Sequence, residues 1–161
     1  MAFKFSDGQS EITGDFSRLE KLIEGLEGDF STDVGVFSEA KTPDGKQVAE
    51  YGAHNEFGSI VVKDRPPKRS FIRMPIEQKQ EKIETYVSGK AQGHLETGDV
   101  KAIFQDIGIA CESVIQEAFD TQGFGSWKPN EETTRERKGS STPLIDDGTL
   151  RKAVTSRVNG D

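Results

Sequence analysis

Residues 99–119, DVKAIFQDIGIACESVIQEAF, decide the fold because they carry the most regular apolar pattern in the chain. Apolar side chains recur there at intervals of three and four residues, so they form one stripe along an α-helix. Such a helix extends roughly 30 Å at about 1.5 Å per residue, which is long enough to be the spine of a domain. The stripe comprises Val100, Ile103, Phe104, Ile107, Cys111, Val114, Ile115, Ala118 and Phe119.

Cys111 lies on this stripe and is the only cysteine of the chain. A cysteine among apolar residues behaves as a small hydrophobic side chain, so we expect Cys111 to be buried. The adjacent Glu112 also disfavours a reactive thiolate, which needs positive neighbours. A single cysteine excludes an internal disulfide and a cysteine-based zinc site.

Shorter patterns on both sides of the long helix predict further helices and short β segments. Apolar residues from Phe16 to Leu26 have helical spacing, and Gly28 follows them as a stop signal. Pro75 favours the first position of another helix, and Gly93 and Gly98 are expected to interrupt the pattern after it. The predicted helices span 16–27, 47–57 and 75–90, the predicted β segments lie at 3–5, 34–37, 60–62 and 154–158, and residues 40–46 are expected to form a loop or hairpin tip.

These elements predict an α+β fold in which a small, mostly antiparallel sheet packs against two or three helices. The helical pattern gives way to glycine and polar residues after Thr121. Residues 1–122 are therefore expected to form an α+β core domain. Residues 123–161 are expected to form an extended C-terminal arm, whose last β segment folds back on the core or on a neighbouring subunit.

Charge is unevenly distributed over the 161 residues, whose formal net charge is −7. Residues 1–60 contain 12 acidic and 5 basic side chains, whereas residues 61–161 contain 16 of each. This balance disfavours a nucleic-acid groove, which needs clustered lysine and arginine. The basic segment 63–73 is interpreted as a solvated loop at the rim of an interface, and a phosphate-contacting loop is the less favoured interpretation. No run of about 18 apolar residues occurs, so no membrane span is expected.

The chain lacks the usual phosphate-loop, dinucleotide-binding, nucleophile-elbow and metalloprotease motifs. His54 and Glu50 would lie one helical turn apart and could act as an acid–base pair. No nucleophile accompanies them, so a structural His54, hydrogen-bonded near the end of its helix, is favoured over a small hydrolase. His94 is expected to be exposed. We therefore expect no catalytic residue, no metal and no cofactor.

Two segments resemble motifs of tailed-bacteriophage virion-morphogenesis proteins. The first, YGAHNEFG (51–58) followed by PKRSFIR (67–73), resembles a signature of tail-completion and head–tail joining proteins. The second is similar to the C-terminal part of the phage virion-morphogenesis family and comprises GSWKP (125–129), RKGS (137–140) and PLIDDGTL (143–150). Both segments occur in the order and spacing of those families.

The resemblance implies a structural virion protein and not an enzyme. Such minor tail or neck proteins form a ring, expected to be a hexamer, at the head-proximal end of the tail. The implied partners are further copies of the chain, the tail tube or tail terminator, and head-completion or connector proteins. DNA would pass through the ring as cargo without specific binding, and no membrane is involved. The implied location is the virion, after assembly in the host cytoplasm. A tail terminator, which caps the tail tube and fixes its length, is the alternative.

The residues that match the two motifs are expected to include the subunit interface. Trp127 either anchors a loop on the core or binds a partner, a role in which tryptophan is enriched. In a head-to-tail ring one surface must complement a different one, so the basic 63–73 segment and the acidic N-terminal half are candidate opposites. Gly148 follows two aspartates in turn or cap chemistry, and it is expected to tolerate no side chain if its φ is positive. The motif residues are Tyr51, Glu56, Phe57, Gly58, Pro67, Arg69, Phe71, Arg73, Trp127, Pro129, Lys138, Leu144, Gly148 and Leu150, and the possible lumen or interface charges are Lys63, Arg65 and Lys68.

Overall fold

The structure is a computed structural model, and it describes residues 4–6, 11–13, 17–58, 67–132, 142–145 and 148–160. The predicted β segment at 60–62 lies outside the described residues, as do Lys63, Arg65 and Lys138. The elements in chain order are β1 (Lys4–Ser6), β2 (Glu11–Thr13), α1 (Ser17–Glu27), β3 (Ser31–Val36), α2 (Val48–Phe57), α3 (Arg73–Gln78), α4 (Gln80–Thr97), α5 (Val100–Asp120), α6 (Thr149–Lys152) and β4 (Val154–Asn159).

The α+β prediction is confirmed, with strands in antiparallel pairs and helices packed against them. β1 pairs with β2, and β3 pairs with β4 in a register that joins Ser31 to Asn159 and Val36 to Val154. The last strand therefore folds back on β3 of the same chain. The division of the chain at residue 122 stays a prediction.

α5 is the predicted long helix, and its buried side contacts the β3–β4 pair and the neighbouring helices. The Asp99 side chain begins the helix by accepting a hydrogen bond from the Ala102 backbone N–H at 3.0 Å, as an N-cap residue does. Gly108 lets the sheet approach closely, since a Cβ there would lie 2.7 Å from Ser156 Cβ. Cys111 is buried as predicted, and burial together with the Glu112 charge raises the pKa of its thiol.

The prediction of one helix over 75–90 was wrong, because the structure has two helices there, α3 and α4, divided at Lys79, and α4 runs on to Thr97. The helix continues through Gly93 and ends at Gly98, whose φ of 74° places it in the left-handed conformation typical of helix ends. A Cβ at Gly93 would meet nothing within 4 Å, so the glycine lies on an open face. A glycine there costs only about 1 kcal/mol relative to alanine, which packing of α4 against α5 offsets. Pro75 is the third residue of α3 and not the first.

Asp106 joins α5 to α4 through two side chains. It is 5% exposed, and its carboxylate accepts hydrogen bonds from Lys90 Nζ at 2.9 Å and from His94 Nε2 at 2.7 Å. Burial raises the pKa of the Asp106 carboxyl. The hydrogen bonds from Lys90 and His94 and the Lys90 charge lower this pKa by a larger amount, so the net pKa lies below the ordinary 3.8. His94 is thus partly buried and bound, in contrast to the expected exposed residue.

We predict that Asp106→Asn lowers the free energy of unfolding near neutral pH and that this loss shrinks in acid. A folded-state pKa below the unfolded value means that the carboxylate stabilises the fold above the unfolded pKa, and that this contribution is lost as the pH falls through the folded value. The loss at pH 7 should be about 1–3 kcal/mol, because hydrogen bonds to a charged group are broken. Urea unfolding of both proteins at several pH values checks this, and a difference that stays constant into acid would contradict it.

Candidate functional site

The candidate functional site is the hydrophobic core around the C-terminal half of α5, because residues of both motif segments meet there. Phe71 and Phe119 pack with ring centroids 5.6 Å apart, and Phe119 contacts the Trp127 ring edge-on at the same distance. The buried cluster comprises Val48, Phe71, Ile115, Ala118, Phe119, Trp127, Leu144, Leu150 and Val154. Side chains separated by more than fifty residues in sequence therefore share one core.

Glu56 connects α2 to the start of α3 through hydrogen bonds. Its carboxylate is buried and accepts hydrogen bonds from the backbone N–H groups of Phe71 at 2.6 Å, Ile72 at 2.9 Å and Arg73 at 3.1 Å. The Ser70 hydroxyl also donates to it at 2.6 Å, and the same hydroxyl accepts from the Met74 N–H at 3.0 Å. A carboxylate is well suited to this place, because N–H groups at a helix start lack intrahelical partners and carry partial positive charge.

Arg69 fastens the same segment to residues 128–130. Its side chain is 5% exposed, and burial lowers the pKa of its guanidinium. Arg69 Nε donates to the Lys128 carbonyl at 2.8 Å, and Nη2 donates to the Pro129 carbonyl at 3.1 Å and to Asn130 Oδ1 at 3.2 Å. The Arg69 backbone N–H donates to the Asn55 carbonyl at 2.8 Å, which ties it to α2. The planar guanidinium suits such a set of acceptors because its donors are held in a fixed arrangement.

Trp127 anchors the loop after α5 on the core. The side chain is 6% exposed, and its Nε1–H donates to the Ser70 carbonyl at 3.1 Å. Gly123 has a φ of 68°, and a Cβ there would lie 2.6 Å from Trp127 Cγ. The loop after α5 therefore needs glycine for both its backbone conformation and its close contact with the indole. Of the two roles considered from sequence, the structure places Trp127 in the core of its own chain.

We call the set formed by Glu56, Arg69, Ser70, Trp127 and Asn130, with the backbone that they bind, the motif junction. Its charged and aromatic members were expected to include the subunit interface. In the structure they are buried, and Arg69 and Trp127 form hydrogen bonds between the two motif segments. Asn130 was missed, because a lone asparagine after a proline belongs to no periodic pattern. Asn55 was also missed. It is 2% exposed and donates from Nδ2 to the Tyr51 carbonyl at 2.9 Å, and an asparagine inside a predicted helix is only a weak signal.

The other motif residues divide into buried, intermediate and exposed positions. Leu144 and Leu150 are buried in the same core, and Gly52 lets α2 approach it, since a Cβ there would lie 3.3 Å from Leu150 Cδ1. Gly148 has a positive φ, 79°, and immediately precedes α6. Intermediate exposure is found at Gly58 and Pro67, the exposed motif residues are Tyr51, Phe57, Arg73 and Pro129, and Lys68, a possible interface charge, is also exposed.

The pair considered for acid–base chemistry is not part of the motif junction. His54 and Glu50 both lie exposed on α2, with His54 in its last turn, and the hydrogen bond expected for His54 stays a prediction. In the described part of the chain, no group of three or more histidine, cysteine, aspartate or glutamate residues is placed to hold a metal ion. Likewise, no described helix is both long and apolar enough to span a membrane.

The motif junction contains two charged side chains close to the core, and each forms hydrogen bonds with polar groups of the chain. Glu56 is bound by backbone N–H groups and a hydroxyl, and Arg69 by carbonyl and amide oxygens. Such an arrangement fixes three chain segments relative to one another. Comparison of the chain with protein-family models, with curated proteins and with solved structures finds no match.

Proposed function

We propose that this protein is a structural virion protein of a tailed phage, forming a ring at the head-proximal end of the tail that completes the tail and joins it to the head. The observation that supports this most strongly is the motif junction. The two sequence segments that resemble phage morphogenesis motifs meet through Arg69 and Trp127, while Glu56 joins the two parts of the first segment. Residues that recur together in a family because they hold its fold should contact one another, and these do.

The use of the junction residues also favours a structural role over a catalytic one. Both carboxylate oxygens of Glu56 and the Nε and Nη2 atoms of Arg69 form hydrogen bonds within the chain. A catalytic acid or base would instead have to reach a substrate atom directly or through one water. We propose that the exposed members of the motifs contact neighbouring subunits, whereas the buried members set the shape that those subunits recognise.

The charge distribution is compatible with a channel for DNA. The acidic excess lies in the first 60 residues, and an acidic wall repels phosphates and lets DNA pass without binding. The proposed partners are other copies of the chain in a hexameric ring, the tail tube or its terminator below, and the connector proteins of the head above. We propose no cofactor.

Electron microscopy of particles from a phage that lacks this gene tests the proposal. Filled heads beside separate tails of normal length are the expected result, because completed heads and tube-length control would remain and only joining would fail. Separate tails of scattered or abnormal length would instead identify the tail terminator. Normal infectious particles would contradict both roles. Restoration of joined particles by a plasmid copy of the gene is the control for effects on neighbouring genes.

A further inference from the structure

α1 carries an apolar stripe on its outer side. Leu19 is 50% exposed, Ile23 46% and Leu26 66%, and their spacing of four and three residues places them on one helix face. Glutamates border one edge of this stripe, because positions 20, 24 and 27 follow one another around the helix beside it. We call the three apolar residues and the bordering glutamates the α1 face.

The opposite side of α1 is held firmly against the chain. A Cβ at Gly25 would lie 2.7 Å from Val100 Cγ2, and a Cβ at Gly98 would lie 2.9 Å from Lys21 Cβ. The Arg18 guanidinium also donates to the Glu96 carbonyl. These contacts fix which side of α1 faces outward. The α1 face is therefore a preformed apolar surface and not the inner side of a loosely attached helix.

A second exposed apolar surface lies at the end of α2. Phe57 is the last residue of α2 and is 68% exposed. Lys68 is exposed and lies beside the next residue, since a Cβ at Gly58 would lie 3.3 Å from Lys68 Cβ. We call Phe57 and Lys68 the α2 face. It combines aromatic surface with a positive charge, whereas the α1 face combines aliphatic surface with negative charge.

We propose that the α1 face of one copy binds the α2 face of the next copy, head to tail. This inference rests on the proposed ring and identifies its subunit contact. The two faces belong to opposite ends of α5. α1 contacts Val100 at the start of that helix, and α2 packs through Phe71 toward Phe119 near its end. Nineteen residues of helix separate these positions by about 28 Å, so one subunit can bind two neighbours at once.

Charge favours this pairing over an antiparallel contact between two α1 faces. An antiparallel two-fold pair of α1 helices would bring the two glutamate edges to the same side, where like charges repel. Pairing with the α2 face instead brings Glu24 and Glu27 toward Lys68. A contact between two different surfaces is also the type that builds rings.

Two variants that each remove one face test the proposal. The first is Leu19→Ser with Ile23→Ser, and the second is Phe57→Ser with Lys68→Glu. All four residues are exposed, so both variants should fold, which circular dichroism and urea unfolding will verify. Ile109→Ser is the matched control, because Ile109 is 50% exposed on α5 and belongs to neither face.

Analytical ultracentrifugation of the wild type, of each variant and of their equimolar mixture, over a range of concentrations, gives the result. We expect the wild type and the control to form assemblies larger than a dimer. Each variant alone should be a monomer, with association weakened at least tenfold. The mixture should give a one-to-one dimer and nothing larger, because one intact α1 face meets one intact α2 face.

Three outcomes would overturn the pairing. The first is that either variant alone forms assemblies like those of the wild type. The second is that the α2-face variant alone forms dimers, which would mean that α1 faces bind each other, and the third is that the wild type stays monomeric at every concentration. Persistence of the ring in both variants would reject only this contact and leave the proposed function in place. The function itself is judged separately by the particles formed without the gene.

Discussion

Replacing Glu56 by glutamine should lower the free energy of unfolding by about 2–3 kcal/mol, since hydrogen bonds to a charged acceptor each contribute about 1.5–3 kcal/mol and several are weakened together. The carboxylate accepts from three backbone N–H groups and one hydroxyl. An amide has one oxygen, and its NH₂ group would face donors. Glu56→Ala should cost more, about 4 kcal/mol, because it leaves those donors without any partner.

Urea unfolding at neutral pH measures both changes. The matched control is Glu50→Gln on the same helix, whose side chain is exposed, and a surface substitution of this kind should stay within about 0.5 kcal/mol. If Glu56→Gln were as mild as the control, the carboxylate would not be what holds α3 to α2. Because a small domain has only about 5–15 kcal/mol of stability, the glutamine variant is the one that keeps a measurable folded state.

Arg69→Lys should destabilise the fold by about 2 kcal/mol even though it keeps the positive charge. Lysine carries a single ammonium group and cannot reproduce the fixed arrangement of guanidinium donors. It would have to leave at least one of the acceptors at Lys128, Pro129 and Asn130 without its donor, and each lost hydrogen bond to a charged group is worth about 1.5–3 kcal/mol.

Arg73→Lys is the control for this substitution, four residues later in the same segment. Arg73 is exposed, and its Nε lies 3.8 Å from Glu77 Oε1. Such a surface ion pair should contribute about 0–1 kcal/mol. Equal effects of the two substitutions in urea unfolding would contradict the role given to Arg69. Limited proteolysis offers a second measurement, since the Arg69 variant should be cleaved faster near residues 128–130 than the control.

The burial of Arg69 also changes how the basic segment should be tested. Lys68 and Arg69 both belong to the basic 63–73 segment, which is expected from sequence to face the acidic N-terminal half of a neighbouring subunit. The structure separates them, because Lys68 is exposed whereas Arg69 is 5% exposed and bound within the chain. Reversal of both charges would report on folding and assembly together. Reversal at Lys68 reports on assembly.

Sequence pattern alone predicted the elements whose burial is one-sided and regular. α5 was predicted to within a residue or so at each end because its apolar stripe is continuous, and Gly58 marked the end of α2 because a positive φ there favours glycine. The continuation of α4 past residue 90 was missed because packing against α5 offsets the helix-weakening effect of Gly93. That packing is not visible in local propensity.

The candidate site was predictable in its charged residues and its tryptophan but not in its contacts. Motif resemblance singled out Glu56, Arg69 and Trp127, yet it could not say that Glu56 binds the backbone of residues 71–73 or that Arg69 binds residues 128–130. These partners are backbone groups, which have no residue-specific signature in a sequence. The exposed stripe of α1 was correctly predicted as amphipathic, but the pattern could not reveal that much of its apolar side remains uncovered.

The location of the protein in assembled particles tests the central claim most directly. An epitope inserted between Asp44 and Gly45 is well placed for this, because both residues are exposed at a tight turn and a Cβ on Gly45 would meet nothing within 4 Å. After infectivity of the tagged phage is verified, gold-labelled antibody is applied and particles are viewed by electron microscopy. We predict a single cluster of label where the tail meets the head. Label along the tail, at its far end, or absent from purified virions would contradict the account.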